Sequence, residues 1–385
     1  MSYIKKKNLY KIYILILLVI LFAMMLISTA LGTIRIPLMD VLRIITSKLG
    51  FLNRYIDISD IRPSNIFIVL NIRLPRIILA SLVGAVLALV GTAYQAIFKN
   101  PMADPFVMGA SSGAAFGATI AIVIGASQSL WGFGAISFLA FAGALATTIL
   151  VYNLARVGNK LSTTSILLAG IVMSAVLSSF IRLMMIFNHD NLENIVSWTM
   201  GSFNGANWRQ IIFVTIPMII GALFLISLAR EMNTIVLGEE SAQNIGVNVE
   251  LTKKLIIVIS SFLAACAVSV SGIIGFVGLI VPHLFRLIFG SDHRVLLPVS
   301  ALGGALFLLI SDTLARTSMG LDIMLAIFDT LFTDATGSEV YQVFNEFLLR
   351  YSLVGVEIPV GIITSIFGGP FFLYLLRRSR NNKFI

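Results

Sequence analysis

"RLPRIILASLVGAVLALVGTAYQAIFKN", Arg73–Asn100, is the stretch whose reading settles the architecture. Between Arg76 and Lys99 no residue carries a charge. An uncharged apolar run of about 20 residues is what a hydrocarbon core of about 30 Å requires of a helix that crosses it. Pro75 suits the first turn, where its missing N–H costs nothing. Gly84 and Gly91 lie within the run, and small residues at such spacing let neighbouring helices approach closely. The stretch therefore predicts one closely packed transmembrane helix with a basic residue at each end.

The rest of the chain repeats this design. Of its 385 residues, 58% are hydrophobic and 12% are charged, with a mean hydropathy of +0.98. A soluble globular protein carries roughly twice that charged fraction. Ten spans are expected, near 12–32, 75–97, 106–126, 132–154, 163–186, 209–229, 253–271, 274–289, 295–314 and 358–376. The fold class is an all-α polytopic membrane protein. Alternating segments of about 10 residues, the mark of a transmembrane barrel, are absent from the sequence. The net charge of +9 does not indicate nucleic acid, because much of it flanks the first and last spans at Lys5, Lys6, Lys7, Lys11, Arg377, Arg378, Arg380 and Lys383. Basic flanks mark the cytoplasmic side. Both termini are therefore expected inside, and Lys99, Arg156, Lys160, Lys253, Lys254 and Arg294 then fall in internal loops. The apolar stretch after the basic N-terminus is longer than a signal-peptide core and reads as a retained first span. The first external loop, with Arg35, Arg43, Lys48, Arg54 and Arg62, departs from the positive-inside pattern and calls for a separate reason.

Little in the spans bears chemistry. No chain of buried acids or histidines suggests a proton relay, and no G-x-x-x-x-G-K-[ST] phosphate loop occurs. His189, His283 and His293 are scattered, which argues against a metal site, and His283 reads as a packed histidine bonded to a backbone carbonyl. The single cysteine, Cys266, lies in an apolar run. One segment is unlike its surroundings: "LGEESAQNIGVNVE", Leu237–Glu250, is acidic and carries no lysine or arginine. By the topology it is cytoplasmic, where anionic headgroups would repel it. A short helix between Gly238 and Gly246, built to meet a protein, fits it better than a lipid-facing loop.

Several motifs, in order, give the chain a family likeness. Arg73–Gly117 continues through "LSTTSILLAGI" (161–171), "SWTMGSFNGANW" (197–208), "LGEESAQNIGVNV" (237–249), "GIIGFVGLIVPHLFRLIFGSDHRVLLPVSALGGALFLLISDTLAR" (272–316) and "EIPVGIITSIFGGPFFLYLLRR" (357–378). This set resembles the FecCD/BtuC-type permeases, the membrane subunits of ABC importers for iron–siderophore complexes, haem and cobalamin. The resemblance implies a permease in the bacterial cytoplasmic membrane that does no covalent chemistry. It implies a second permease subunit, two cytoplasmic ATP-binding subunits that hold ATP and Mg, and an extracytoplasmic binding protein. No cofactor is expected on this chain.

Residue roles come from the same resemblance. Gly238, Glu239, Ala242 and Gly246 match the coupling helix that meets the ATPase. Arg73, Arg76 and Arg316 match the arginines that face acidic residues of the binding protein, a task suited to the planar guanidinium fork. Interfacial anchoring is the plainer role for the first two, and an i,i+4 pair with Asp312 for the third. Asn100, Met102, Thr163 and Thr164 match positions that close the cytoplasmic end of the pathway. The threonines also suit N-capping of the fifth span, and Pro101 and Pro105 suit a turn. The likeness breaks at one place. Relatives pass from "SDTLAR" to "ELPVG" within about ten residues, whereas Arg316 and Glu357 here lie roughly forty apart. Val340, Val343, Phe344, Phe347, Leu348 and Tyr351 share one helical face, and "TGSE" before them has capping-box spacing. An external helical hairpin over 321–353 is expected, as an insertion between spans nine and ten in one transmembrane domain over 1–385. The alternatives from other classes are an ion-gradient transporter, which needs ionisable groups within the membrane, and a non-transporting scaffold or sensor.

Overall fold

The computed structural model of the protein describes residues 3–32, 34–48, 56–126, 134–157, 160–317 and 357–381. The expected hairpin at 321–353 lies outside these residues. The helices run in order α1 (Tyr3–Ala30), α2 (Leu38–Ser47), α3 (Pro63–Phe67), a π-helix (Ile68–Arg73), α4 (Leu74–Ile97), α5 (Ala110–Val123), α6 (Ala135–Ala155), α7 (Thr163–Phe187), a 3₁₀ turn (His189–Asn191), α8 (Leu192–Thr199), α9 (Trp208–Ser227), α10 (Ala229–Leu237), α11 (Glu239–Asn244), α12 (Val249–Ser271), α13 (Val277–Phe289), α14 (His293–Ala315) and α15 (Val360–Asn381). Strands β1 (Arg156–Val157) and β2 (Lys160–Leu161) form a two-residue antiparallel pair between α6 and α7.

All ten expected spans coincide with apolar helices. Seven are long enough to cross a membrane, and α5, α13 and the apolar part of α15 are shorter. At about 1.5 Å per residue, the 13 residues of α13 reach only about 20 Å. The sequence predicts α5 and α13 as fuller spans, near 106–126 and 274–289. Their apolar runs extend into non-helical segments around Pro105 and around Gly272–Phe276. Such backbone is tolerated at membrane depth only when buried in protein, and Ala103, Met108 and Ile274 are buried.

The central helix is α4, packed against α14, α12, α13 and α9. Its glycines explain the closeness. A side chain at Gly84 would overlap the Gly304 carbonyl of α14, and one at Gly91 would overlap the Gly278 carbonyl of α13. Backbones thus touch directly, where dispersion contacts are densest. Polar groups tie the same seam. Pro282 in α13 has no N–H to offer the Gly278 carbonyl four residues earlier. Gln95 of α4 supplies the missing donor through Nε2, at 3.4 Å to Gly278 and 3.2 Å to Leu279, while Arg286 donates to Gln95 Oε1 at 2.9 Å. Tyr94, fully buried, meets Ser261 of α12 at 2.8 Å. His283 is half-buried, and no hydrogen bond to a carbonyl joins it among the described residues.

Hydrogen bonds also fix which helix ends lie together. The C-terminus of α1, the start of α4 and the end of α14 meet at one end. At the opposite end Asn233 of α10 bonds Asp292 and His293 at the start of α14. This is the alternation expected of successive spans, and the two ends are called outer and inner below, after the sequence-based topology. At the outer end α2 lays Val41 and Ile44 against Ile36, Ile61 and Val69. Arg43 closes this small unit by donating to both carboxylate oxygens of Asp60, at 2.8 and 2.6 Å. The guanidinium holds the Asp60 carboxyl below the usual carboxylate range. One of the unexpected external cations is therefore locally paired.

Candidate functional site

The three arginines singled out in the sequence converge at the outer end. Arg73 ends the π-helix and donates Nη1 to Thr29 O at 2.8 Å and Ala30 O at 3.2 Å, with Nη2 reaching Ile34 O. Arg316 donates to Leu31 O at 2.6 Å, to Ser28 O and to Ser28 Oγ at 2.7 Å. The last carbonyls of a helix lack partners within it, and cations are favoured at that end of its dipole. Two guanidinium groups therefore cap α1. Arg76 turns to the neighbouring acids: Nε lies 3.0 and 3.1 Å from the two oxygens of Asp312, and Nη1 lies 2.6 Å from Glu357 Oε2. Arg316 also stands 3.7 Å from Asp312, the i,i+4 pair expected from the sequence. Asp312 is 0% exposed, and Arg73, Arg76 and Arg316 are 6–7% exposed. The cluster is an internal network across α1, α4, α14 and the lead-in to α15. Glu357, whose side chain is 35% exposed, is its most open member.

Beside Glu357 opens a cavity of about 910 Å³, toward the upper end of small-molecule pocket sizes. Its wall comes from the ends of α5, α6 and α12, from α8, from the loop after α8 and from the start of α9. Hydroxyls, amides and one indole, including Ser197, Trp198, Ser202, Asn204 and Gln210, share it with glycines and small apolar side chains, and Glu357 is the one charged group in the described lining. Such a wall can hydrogen-bond a large polar solute without fixing a strong charge of either sign.

The proposed gate residues lie at the inner end, on two separate elements. Asn100 comes after α4, and its Oδ1 accepts from Met102 N at 2.9 Å, a local turn that leaves Met102 exposed. The same loop carries Asp104, whose Oδ1 accepts from Phe106 N at 2.8 Å. Burial pushes the Asp104 carboxyl up to about 6. Thr163 opens α7, and Thr164 stands next to it, exposed. The N-cap belongs to Ser162, which accepts from Ser165 N at 3.3 Å, and not to either threonine. No hydrogen bond joins the Asn100–Met102 turn to Thr164 among the described residues.

The acidic segment folds around the short helix α11, which Gly238 separates from α10 and which runs through Gly246 into the first turn of α12. Glu239 opens α11 and pairs with Lys253 Nζ at 2.7 Å. Ala242 is fully buried with Ile235, Val249 and Val247. The end of α11 is a Schellman motif: Val247 N bonds Ala242 O at 3.0 Å, Gly246 N bonds Gln243 O at 2.9 Å, and Gly246 takes φ +89°. That left-handed position is the reason for a glycine there. The helix is thus built from within and turns Glu240, Gln243 and Asn244 outward. Leu237, 83% exposed, and Ile245 project beside them.

Sequence reasoning names the arginines but misses Glu357 as their partner and Leu237 and Ile245 as exposed knobs. The signals are present: an acid beside the start of the last span, and two large apolar residues inside a polar segment.

Comparison with known proteins fits this geometry. The model of the FecCD transport family matches residues 17–332. The chain is 40% identical over 310 residues to the cobalamin import system permease protein BtuC of Halobacterium salinarum, covering 80% of this chain and 73% of that one. It is 37% identical over 316 residues to the hemin transport system permease protein HmuU of Yersinia pestis, covering 82% and 84%. A solved structure described as an inward-facing conformation of a metal-chelate type ABC transporter aligns with a TM-score of 0.73 at 30% identity, covering 95% of this chain and 99% of that one.

Proposed function

This chain belongs to the FecCD transport family and is a permease subunit of an ABC importer, and from that premise we propose that its cargo is a bulky metal chelate or metal-centred cofactor: siderophore-bound iron, haem or a cobalamin-like molecule. The observation that carries the cargo reading is the large outer cavity, whose mixed wall carries many hydroxyls and amides. It offers volume and hydrogen bonds rather than a charge trap. Two similar relatives are named for cobalamin and hemin import, which agrees with that class, and another, from Haemophilus influenzae, is named for molybdate import, which lies outside it.

In this reading Gly238, Glu239, Ala242 and Gly246 form the coupling element that enters a groove of a separate ATPase. The exposed Leu237 and Ile245 support it, because apolar knobs beside acidic and amide side chains suit a protein groove. Motion there has a route outward. Asn233 of α10 bonds the start of α14, and the 23 residues of α14 span about 34 Å to Asp312 and Arg316. ATP binding in the partner would bias two packings of the bundle, which is alternating access. A second permease copy or a close homologue would cover the apolar face of α7, where Leu168, Ile171, Val172, Val176, Phe180 and Leu183 are exposed. Asn100, Met102, Thr163 and Thr164 would close the inner end. The Arg73–Arg76–Arg316 cluster would underlie the docking face for an acidic extracytoplasmic binding protein.

The test is purification of the tagged chain from its native membrane after mild crosslinking. An ATPase, a soluble binding protein and a chelate held by that protein are expected together. Recovery of a small oxyanion on the binding protein would overturn the cargo reading.

A further inference from the structure

The low exposure of Arg76 sits awkwardly with a docking role until its partners are compared. Asp312 is fully buried and shared by Arg76 and Arg316, so no outside group can reach its place. Glu357 differs in every respect. Its side chain is about one-third exposed, it holds Arg76 through the single contact from Nη1 to Oε2, and it stands on the rim of the outer cavity. The position at Nη1 is thus the approach to Arg76 that opens outward, and the chain's own carboxylate already fills it.

From this we infer that Glu357 is an internal stand-in for a partner's carboxylate: an acidic protein surface docking at the outer end exchanges with Glu357 on Arg76 and thereby loosens the start of α15. The inference rests on the docking reading above and adds the competing residue and its consequence. The exchange is favourable in kind, because one carboxylate replaces another and Arg76 is never left as an unpaired buried cation. The displaced side chain has a polar destination in the cavity, among Ser202, Asn204 and Gln210. Its backbone leads straight into a bonded segment: Ile358 N bonds Ala315 O at 3.1 Å, and Gly361 N bonds Gly201 O at 3.4 Å. Movement of Glu357 is therefore felt three residues later, where α15 begins. Docking would release a latch on that helix as well as supply attraction.

The experiment measures affinity between the permease–ATPase complex in nanodiscs and the binding protein recovered by crosslinking, at several salt concentrations. Glu357→Gln removes the competitor's charge, and Glu357→Asp keeps the charge but shortens its reach. Both are expected to tighten docking by about 2–5-fold, the range of an ion pair near the surface. Glu193→Gln, an exposed acid on α8, controls for general charge and should leave affinity unchanged. Docking that weakens with salt but is unmoved or weakened by the Glu357 variants would overturn the stand-in and keep the docking reading. Equal tightening by Glu193→Gln would also overturn it. Docking indifferent to salt in all forms would remove the docking reading, and the inference with it.

Discussion

Asp312→Asn is the substitution whose cost the structure defines best. Asp312 has no contact with solvent, accepts from Arg76 Nε with both oxygens at 3.0 and 3.1 Å, and lies 3.7 Å from Arg316 Nε. An asparagine keeps the shape and one acceptor but removes the negative charge between two guanidinium groups. Breaking a buried pair from one side costs about 3–5 kcal/mol. Two features bring the expectation to the lower end. Arg76 retains Glu357, and Arg316 retains three acceptors at the end of α1. A loss of about 3 kcal/mol is therefore expected, a large share of the roughly 5–15 kcal/mol that holds a typical domain. Unfolding free energy in bilayer discs would be measured for wild type, Asp312→Asn, Arg76→Gln and the double variant. The two residues touch, so the double variant should lose less than the sum of the single ones, by at least about 1 kcal/mol. Additive losses, or a single-variant loss below about 1 kcal/mol, would refute the network as a buried ionic unit.

Three further outcomes are expected. Gly246→Trp places a side chain at φ +89°, at a cost of about 1–2 kcal/mol, and should strip the ATPase from the purified complex while circular dichroism still reports a folded bundle; an unchanged ATPase stoichiometry would contradict the coupling role. Gly91→Val forces α4 away from the Gly278 carbonyl and should lower stability by about 1–3 kcal/mol or more, read as loss of monodisperse protein on heating, whereas Gly369→Val in α15, where a Cβ meets open space, should cost far less. Asp104 binds its proton more tightly in the fold than in the unfolded chain, so the stability associated with that proton is full below the ordinary carboxylate range and is lost as pH rises toward about 6; Asp104→Asn, which keeps the acceptor for Phe106 N, should flatten the wild-type decline in melting temperature over that window, and parallel profiles would count against it.

The span positions are legible because hydropathy reports burial, and each apolar run is closed by a charge, a proline or a glycine. Hydropathy reports helix less well. It cannot separate α13 from the apolar coil before it, since Ile273, Ile274 and Phe276 look like helix to any scale. The π-helix at Ile68–Arg73 has no composition of its own; it shows only in its consequences, such as Trp208 Nε1 donating to Leu70 O at 2.9 Å. At the outer site, the Arg316–Asp312 pair is readable from i,i+4 spacing, but the stronger Arg76–Asp312 contact joins residues 236 apart and has no local signature. The short helix α11 is readable down to its closing glycine, Gly246. The knobs Leu237 and Ile245 escape notice because apolar residues are unremarkable in a chain that is mostly apolar.

The double arginine cap on α1 sets an order of events during synthesis. Helix α1 leaves the ribosome with terminal carbonyls that wait for donors from Arg73 and Arg316, the latter 288 residues behind Ser28. At about 5–20 residues per second, that interval is on the order of 15–60 s. For that time α1 is held at its C-terminal end by Arg73 alone of the two arginines. The second half of its lock closes only when α14 and Arg316 are in place, so α1 is made early and fully secured late. A nascent chain truncated before Arg316 should therefore present a loose N-terminal helix to membrane proteases, which gives quality control a simple signature of an unfinished molecule.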